Sequence, residues 1–138
     1  MPAEDRDLEE ARAILARFEA EMHKPEGVAH LSEGLALLAD VRDGGESSRN
    51  AQVASNMAQA YATKVQRQVE SLAREHIVHI DVVLHWLNVI KEFESAGFAL
   101  PPGMDSARSA LVLKKMSPSE RQVLLEKLQA SEPGDNTA

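Results

Sequence analysis

The strongest constraint on this chain is the spacing of its apolar residues, which recur at steps of three and four over most of its length. Leu8, Ala11, Leu15, Phe18 and Met22 share one stripe of a helix over about residues 4–23. Val28, Leu31, Leu35 and Leu38 repeat the rhythm over 25–42, and Ala54, Ala58, Tyr61, Val65, Val69 and Leu72 repeat it over 48–75. On that third segment Gln52, Asn56, Gln59, Thr63, Gln66 and Glu70 form a separate polar face, which is expected to be solvated. A stripe of this kind is half of an interface, so each helix needs others to cover it. Composition points the same way: 43% of residues are apolar but only 4% aromatic, a balance that favours closely packed helices over a β-sandwich.

Proline, glycine and serine then set the boundaries. Pro25 suits the first turn of a new helix and ends the one before it. Gly44 and Gly45 make a loop, after which Ser47 or Ser48 can cap. The β-branched run Ile77, Val78, Ile80, Val82, Val83 predicts a break or kink near 75–80. A fourth helix over about 80–96 ends at Gly97, with Phe98 placed to meet Phe93. Pro101-Pro102 reads as an extended connector, and Ser117-Pro118-Ser119-Glu120 as the start of a further helix. The expected fold is all-α. A four-helix bundle-like core spans 1–98, a smaller C-terminal helical hairpin at 99–130 packs on it within a single domain, and 131–138 is a disordered tail.

Charge and residue usage exclude several function classes. The net charge of −7 opposes general affinity for nucleic acid or anionic membranes. Arg108, Lys114, Lys115, Arg121 and Lys127 are locally basic, but Glu120 and Glu126 interrupt them. With no cysteine there is no disulfide, thiolate site or thiol nucleophile. The acidic start "MPAEDRDLEE" lacks the apolar centre of a signal peptide, and a cytoplasmic setting is expected. No phosphate-cradling glycine loop, dinucleotide fingerprint or Gly-x-Ser-x-Gly elbow occurs, so neither a cofactor nor an enzyme is expected.

The stretch "REHIVHIDVVLHW", residues 74–86, holds three of the five histidines. On one helix His79 falls about 60° from His76 and His85 about 180° from it, so the three cannot face one ion. A metal would need ligands from elsewhere, such as His23 or His30, and the Glu-x-x-His spacing of di-iron bundles is absent. His85 falls instead on a polar stripe with Asp81, Asn88 and Glu92. The opposite side, with Ile80, Val83, Leu84, Trp86, Leu87 and Ile90, marks this as the most buried helix. Glu19–His23, Glu26–His30, Glu75–His79 and Asp81–His85 each place an acid four residues before a histidine. Such pairs lend helix support that weakens as pH rises through the histidine range.

Ala29-His30-Leu31-Ser32-Glu33-Gly34 resembles the Ala-His-x-x-Lys-Gly motif of histidine phosphotransfer domains, which are also four-helix bundles. The resemblance implies that His30 is a phosphoacceptor and that Gly34 keeps its surroundings open for a response-regulator partner; Glu33 departs from the motif at the lysine position. "MAQAY", Met57–Tyr61, is similar to the Leu-Gly-x-x-Tyr core of a tetratricopeptide repeat, from which Glu70 and Arg74 depart. The leading expectation is a small, non-enzymatic adaptor or regulatory protein that binds another protein and is suited to forming a homodimer, with Trp86, Leu111, Leu124 and Leu128 as interface residues. Phosphotransfer through His30 is the alternative, and a helical-bundle metal-binding protein is the next.

Overall fold

The computed structural model describes residues 3–44, 47–75, 78–115 and 118–131. Among these the elements are α1 (Ala3–Ala20), α2 (Pro25–Asp43), α3 (Ser48–Ala73), α4 (Ile80–Ser95), α5 (Met104–Lys115) and α6 (Pro118–Ser131), with no strand. The expected all-α class is what forms.

α1 stops at Ala20, short of Met22 and His23, because the chain must reverse tightly before Pro25. Lys24 N–H donates to Glu21 O at 2.9 Å and Gly27 N–H to Lys24 O at 3.0 Å. A Cβ on Gly27 would lie 2.3 Å from Glu21 O, so this reversal requires glycine. α1 and α2 then run antiparallel. Gly34 meets Ile14 and Leu15, while Gly44, just past the end of α2, meets Glu4 at the start of α1.

The caps follow local chemistry. Of the two candidate serines it is Ser47 that caps α3, accepting from Asn50 N–H at 3.2 Å. α3 ends at Ala73 and α4 begins at Ile80, so helix is interrupted where the β-branched run begins; His76 and Ile77 lie outside the described residues. His79 caps α4, its Nδ1 accepting from Asp81 N–H at 3.1 Å. At the other end Gly97 takes φ +81°, Phe98 N–H donates to Phe93 O and Gly97 N–H to Glu94 O, each at 3.0 Å. These are the paired bonds of a left-handed helix stop. Ser117 and residues 132–138, read above as a cap and a tail, lie outside the described residues.

α1 packs most extensively on α2, and α2 also packs on α3 and α4. α5 lies on α3 and α4, and α6 on α4. Phe18, Leu35, Leu38, Trp86, Ile90 and Phe93 are fully buried at the centre, and the alanine seam Ala54–Ala58–Ala62 of α3 is buried with them. Arg42 joins two helix ends. Its guanidinium donates to Ala96 O at 3.0 Å and Gly97 O at 3.1 Å, and sits 4.4 Å from the centre of the Phe98 ring.

The polar face of α3 departs from expectation. Gln52, Asn56 and Gln59 are exposed, but Thr63, Gln66 and Glu70 are half-buried. Thr63 bonds back to Gln59 O on its own helix at 3.0 Å, while at Gln66 and Glu70 the double-proline connector intervenes: Gln66 Nε2 donates both to Pro102 O at 3.2 Å and to Glu70 Oε2 at 3.1 Å. A polar side chain there docks a passing backbone instead of meeting water.

Candidate functional site

The polar stripe of α4 is not uniformly solvated either, and its exception builds the most structured site of the molecule. His85 Nε2 lies 2.6 Å from Met22 O, in the α1–α2 connector. A carbonyl only accepts, so Nε2 carries the proton in this bond and Nδ1 is left as an acceptor when the ring is neutral. The connector brings a second imidazole with it. His23 stands edge-on to Trp86 at 5.4 Å between ring centres, and His85 does the same at 5.3 Å. Tilted ring pairs at these separations add roughly 0.5–1.5 kcal/mol beyond area burial.

These rings border a cleft of about 280 Å³. His23 and Pro25 line it from the connector and the start of α2, Leu72 from the end of α3, and Asp81, Val82, His85 and Trp86 from α4. Trp86 is 1% exposed, whereas Val82 at 38% is one of three large apolar residues open to solvent among those described. The other two, Val123 and Leu125, are on α6. Val123 lies one turn before Lys127, whose Nζ is 4.0 Å from Asp81 Oδ1, so this face of α6 borders the rim. His79 Nδ1 is 3.6 Å from the other Asp81 oxygen. Both contacts are exposed and contribute little to stability.

The residues singled out from sequence are scattered. His30, on α2, does not line the cleft; its Nε2 is 3.4 Å from Glu21 Oε2 in the connector, with 30% of its side chain exposed. Gly34 opens no space beside it: a Cβ there would lie 2.7 Å from Leu15 Cγ and Cδ2, so this glycine serves the α1–α2 crossing. Trp86, Leu111 and Leu124, read as interface residues, are interior at 1%, 0% and 0% exposure; the side chain of Leu128 lies outside the described residues. All three belong to the one buried apolar cluster, which α5 joins through α3 and α4 and α6 through α4, and this places them beneath the surface.

Among the described residues no three His, Cys, Asp or Glu side chains gather in a way that holds a metal. None of the four acid–histidine pairs closes to ion-pair distance there either. His30 takes Glu21, His79 takes Asp81, His85 takes a carbonyl and His23 takes a ring. Each finds a tertiary or capping partner in place of the weak one on its own helix face. The cleft itself was not foreseen, since His23 and His85 are 62 residues apart and only the Pro25 reversal brings them together. Among the described residues no helix is long and apolar enough to cross a membrane. No protein-family model, curated protein or solved structure matches this chain.

Proposed function

We propose that this chain is a small helical protein–protein interaction module, adaptor or regulatory in role and without catalytic activity, and that a partner docks at the cleft beside Trp86. One observation carries the reading: an open, mainly apolar cleft with an exposed valine on its rim and two imidazoles held in set orientations. Exposed apolar surface next to such a cleft is what a partner's side chain requires. In this reading α1–α4 act as the bundle-like core, α5 and α6 brace it as part of one domain, and the protein works in the cytoplasm. Self-association through the same rim is compatible with it.

The test is capture of partners from native lysate by the tagged chain and by its Val82→Asp variant. Val82 is on the surface, so the variant is expected to melt within about 0.5 kcal/mol of the parent. A stoichiometric protein retained by the parent and lost from the variant supports the proposal. Equal retention by both, or no partner for either, overturns it.

A second reading keeps a specific observation in its favour, since His30 remains open to solvent. If it accepts phosphate, acetyl phosphate will label the chain at an acid-labile position, and His30→Gln will remove the label. An unlabelled parent ends that reading.

A further inference from the structure

α5 and α6 are attached to the core in different ways. α5 buries Met104, Ala107 and Leu111, a stripe at steps of three and four that lies on α3 and α4. α6 has no such stripe. Of its nine described side chains only Leu124 is buried, at 0% exposure, and the other eight are exposed. Val123 at 42% and Leu125 at 47% flank it and stay in water. Successive residues of a helix point about 100° apart, so α6 meets α4 along a narrow line. Beside that line Lys127 Nζ lies 4.0 Å from Asp81 Oδ1, and Asp81 also lines the Trp86 cleft.

α6 is therefore lightly held. Burial of one leucine, with an exposed ion pair beside it, favours a docked helix over a detached one by roughly 10–1,000-fold. A whole small domain favours its folded state by about 10³–10⁸-fold, so α6 can leave while the bundle stays intact. What remains on α4 is a seat for a leucine next to a carboxylate, at the edge of a cleft whose rim already exposes Val82. The chain itself displays the kind of helix that fits: Leu124 in the seat, and Lys127 three residues later at the carboxylate.

We propose that α6 is an internal stand-in for a partner: it fills a helix-binding seat on α4 beside the Trp86 cleft, and a partner helix carrying a leucine with a basic residue three positions on displaces it. The inference rests on the interaction-module reading and names the partner's chemistry and the step that admits it. Grooves read helices through a few anchor residues at helical spacing, which is how α6 sits here. The chain's net charge of −7 favours a partner helix more basic than α6, whose Glu120 and Glu126 offset Arg121 and Lys127.

The experiment uses Leu124→Asp in the full chain, which puts a charge in the seat and detaches the chain's own α6. A fluorescein-labelled peptide with the sequence of residues 118–131 is titrated in, and its anisotropy is read. With an effective concentration of about 1 mM for the tethered helix, the docking ratio above corresponds to a dissociation constant of roughly 1–100 µM in trans. The peptide is expected to bind Leu124→Asp saturably and the parent about 10–1,000-fold more weakly, because the parent's seat is filled. The same peptide carrying Leu124→Asp should bind neither chain. No binding to the Leu124→Asp chain, or equal binding to both chains, overturns the proposal. Hydrogen exchange of the unmodified parent is the independent measurement. The α6 amides should exchange together, with protection at least about 10-fold below that of α4. Equal protection in the two helices, or protection that falls residue by residue towards Ser131, overturns the proposal as well. A peptide that fails to bind while a partner is still captured through Val82 removes this inference and leaves the module reading standing.

Discussion

Replacing Gly34 by alanine tests how tightly α1 and α2 are pressed together. Two effects oppose each other. Alanine is the better helix former by about 1 kcal/mol, and at a site with room this gain alone would stabilise α2. Here the added Cβ would come 2.7 Å from both Cγ and Cδ2 of Leu15, and 3.5 Å from Ile14 Cγ2. Leu15 is fully buried, so rotating its tip away does not suffice; Cγ itself must move, and the helices must part by several tenths of an ångström. Overpacking of this kind costs about 1–3 kcal/mol. With two contacts below 3 Å the cost falls in the upper half of that range, so after the helix gain the clash wins by about 1–2 kcal/mol, or roughly 3–8 °C in Tm for a chain of this size. Urea unfolding followed by the fluorescence of Trp86 reads this directly, with the midpoint lowered and the slope unchanged. Leu15→Ala alone should cost about 2–5 kcal/mol, but less in the Gly34→Ala background, because it vacates the contested volume. The two substitutions are therefore expected to be less than additive by about 1 kcal/mol. A Gly34→Ala variant as stable as the parent, or more so, would refute the reasoning and would return Gly34 to the role that the phosphotransfer motif implies.

Three further outcomes are expected. The Tyr61 hydroxyl is held above its ordinary value of 10.0, first by burial and then by the nearby charge of Glu19, while Lys64 is raised mainly by its hydrogen bond to Glu19. Both raised groups stabilise the fold fully below their ordinary values and lose that contribution as pH climbs through the folded ones, so Tm should fall above about pH 10. Ultraviolet titration of this single tyrosine should show a midpoint above 10.0, and a midpoint at or below it would contradict the burial account. Ser47→Ala should cost about 1 kcal/mol in chemical denaturation and Ser48→Ala close to nothing; equal losses would mean that the α3 cap is misassigned. Arg42→Ala removes two bonds to the end of α4 and the stack on Phe98, for a loss of about 1–2 kcal/mol, whereas Asp43→Ala should be nearly silent; the reverse order would show that the surface pair carries the energy.

The helices were legible because their signals are local. Apolar steps of three and four, Pro25, Ser47 and the Gly97–Phe98 stop each act within a turn or two, and the observed bounds fall close to those read from them. What was not legible depends on pieces distant in sequence. Gln66 looks like any exposed glutamine until the connector at Pro102 lies across it. His85 sits on a polar stripe by periodicity, yet its ring N–H donates to a carbonyl 63 residues away. The acid–histidine spacing invited a helical explanation that tertiary partners overrode, since a hydrogen bond or ring contact outweighs a few tenths of a kcal/mol on a helix face. Trp86 was ambiguous for a different reason: a lone tryptophan anchors cores and interfaces alike, and only its burial distinguishes them.

The antiparallel α1–α2 pair, closed by a connector of four residues, also carries a kinetic consequence. Closing so short a loop costs little chain entropy, so this hairpin can assemble before contacts that span longer separations, such as α5 on α3. Substitutions at the Gly34–Leu15 crossing should therefore slow refolding, and those at the Arg42 clasp, which joins segments 54 and 55 residues apart, should mainly hasten unfolding. On this reasoning one short turn at Pro25 is expected to set the order in which the molecule comes together.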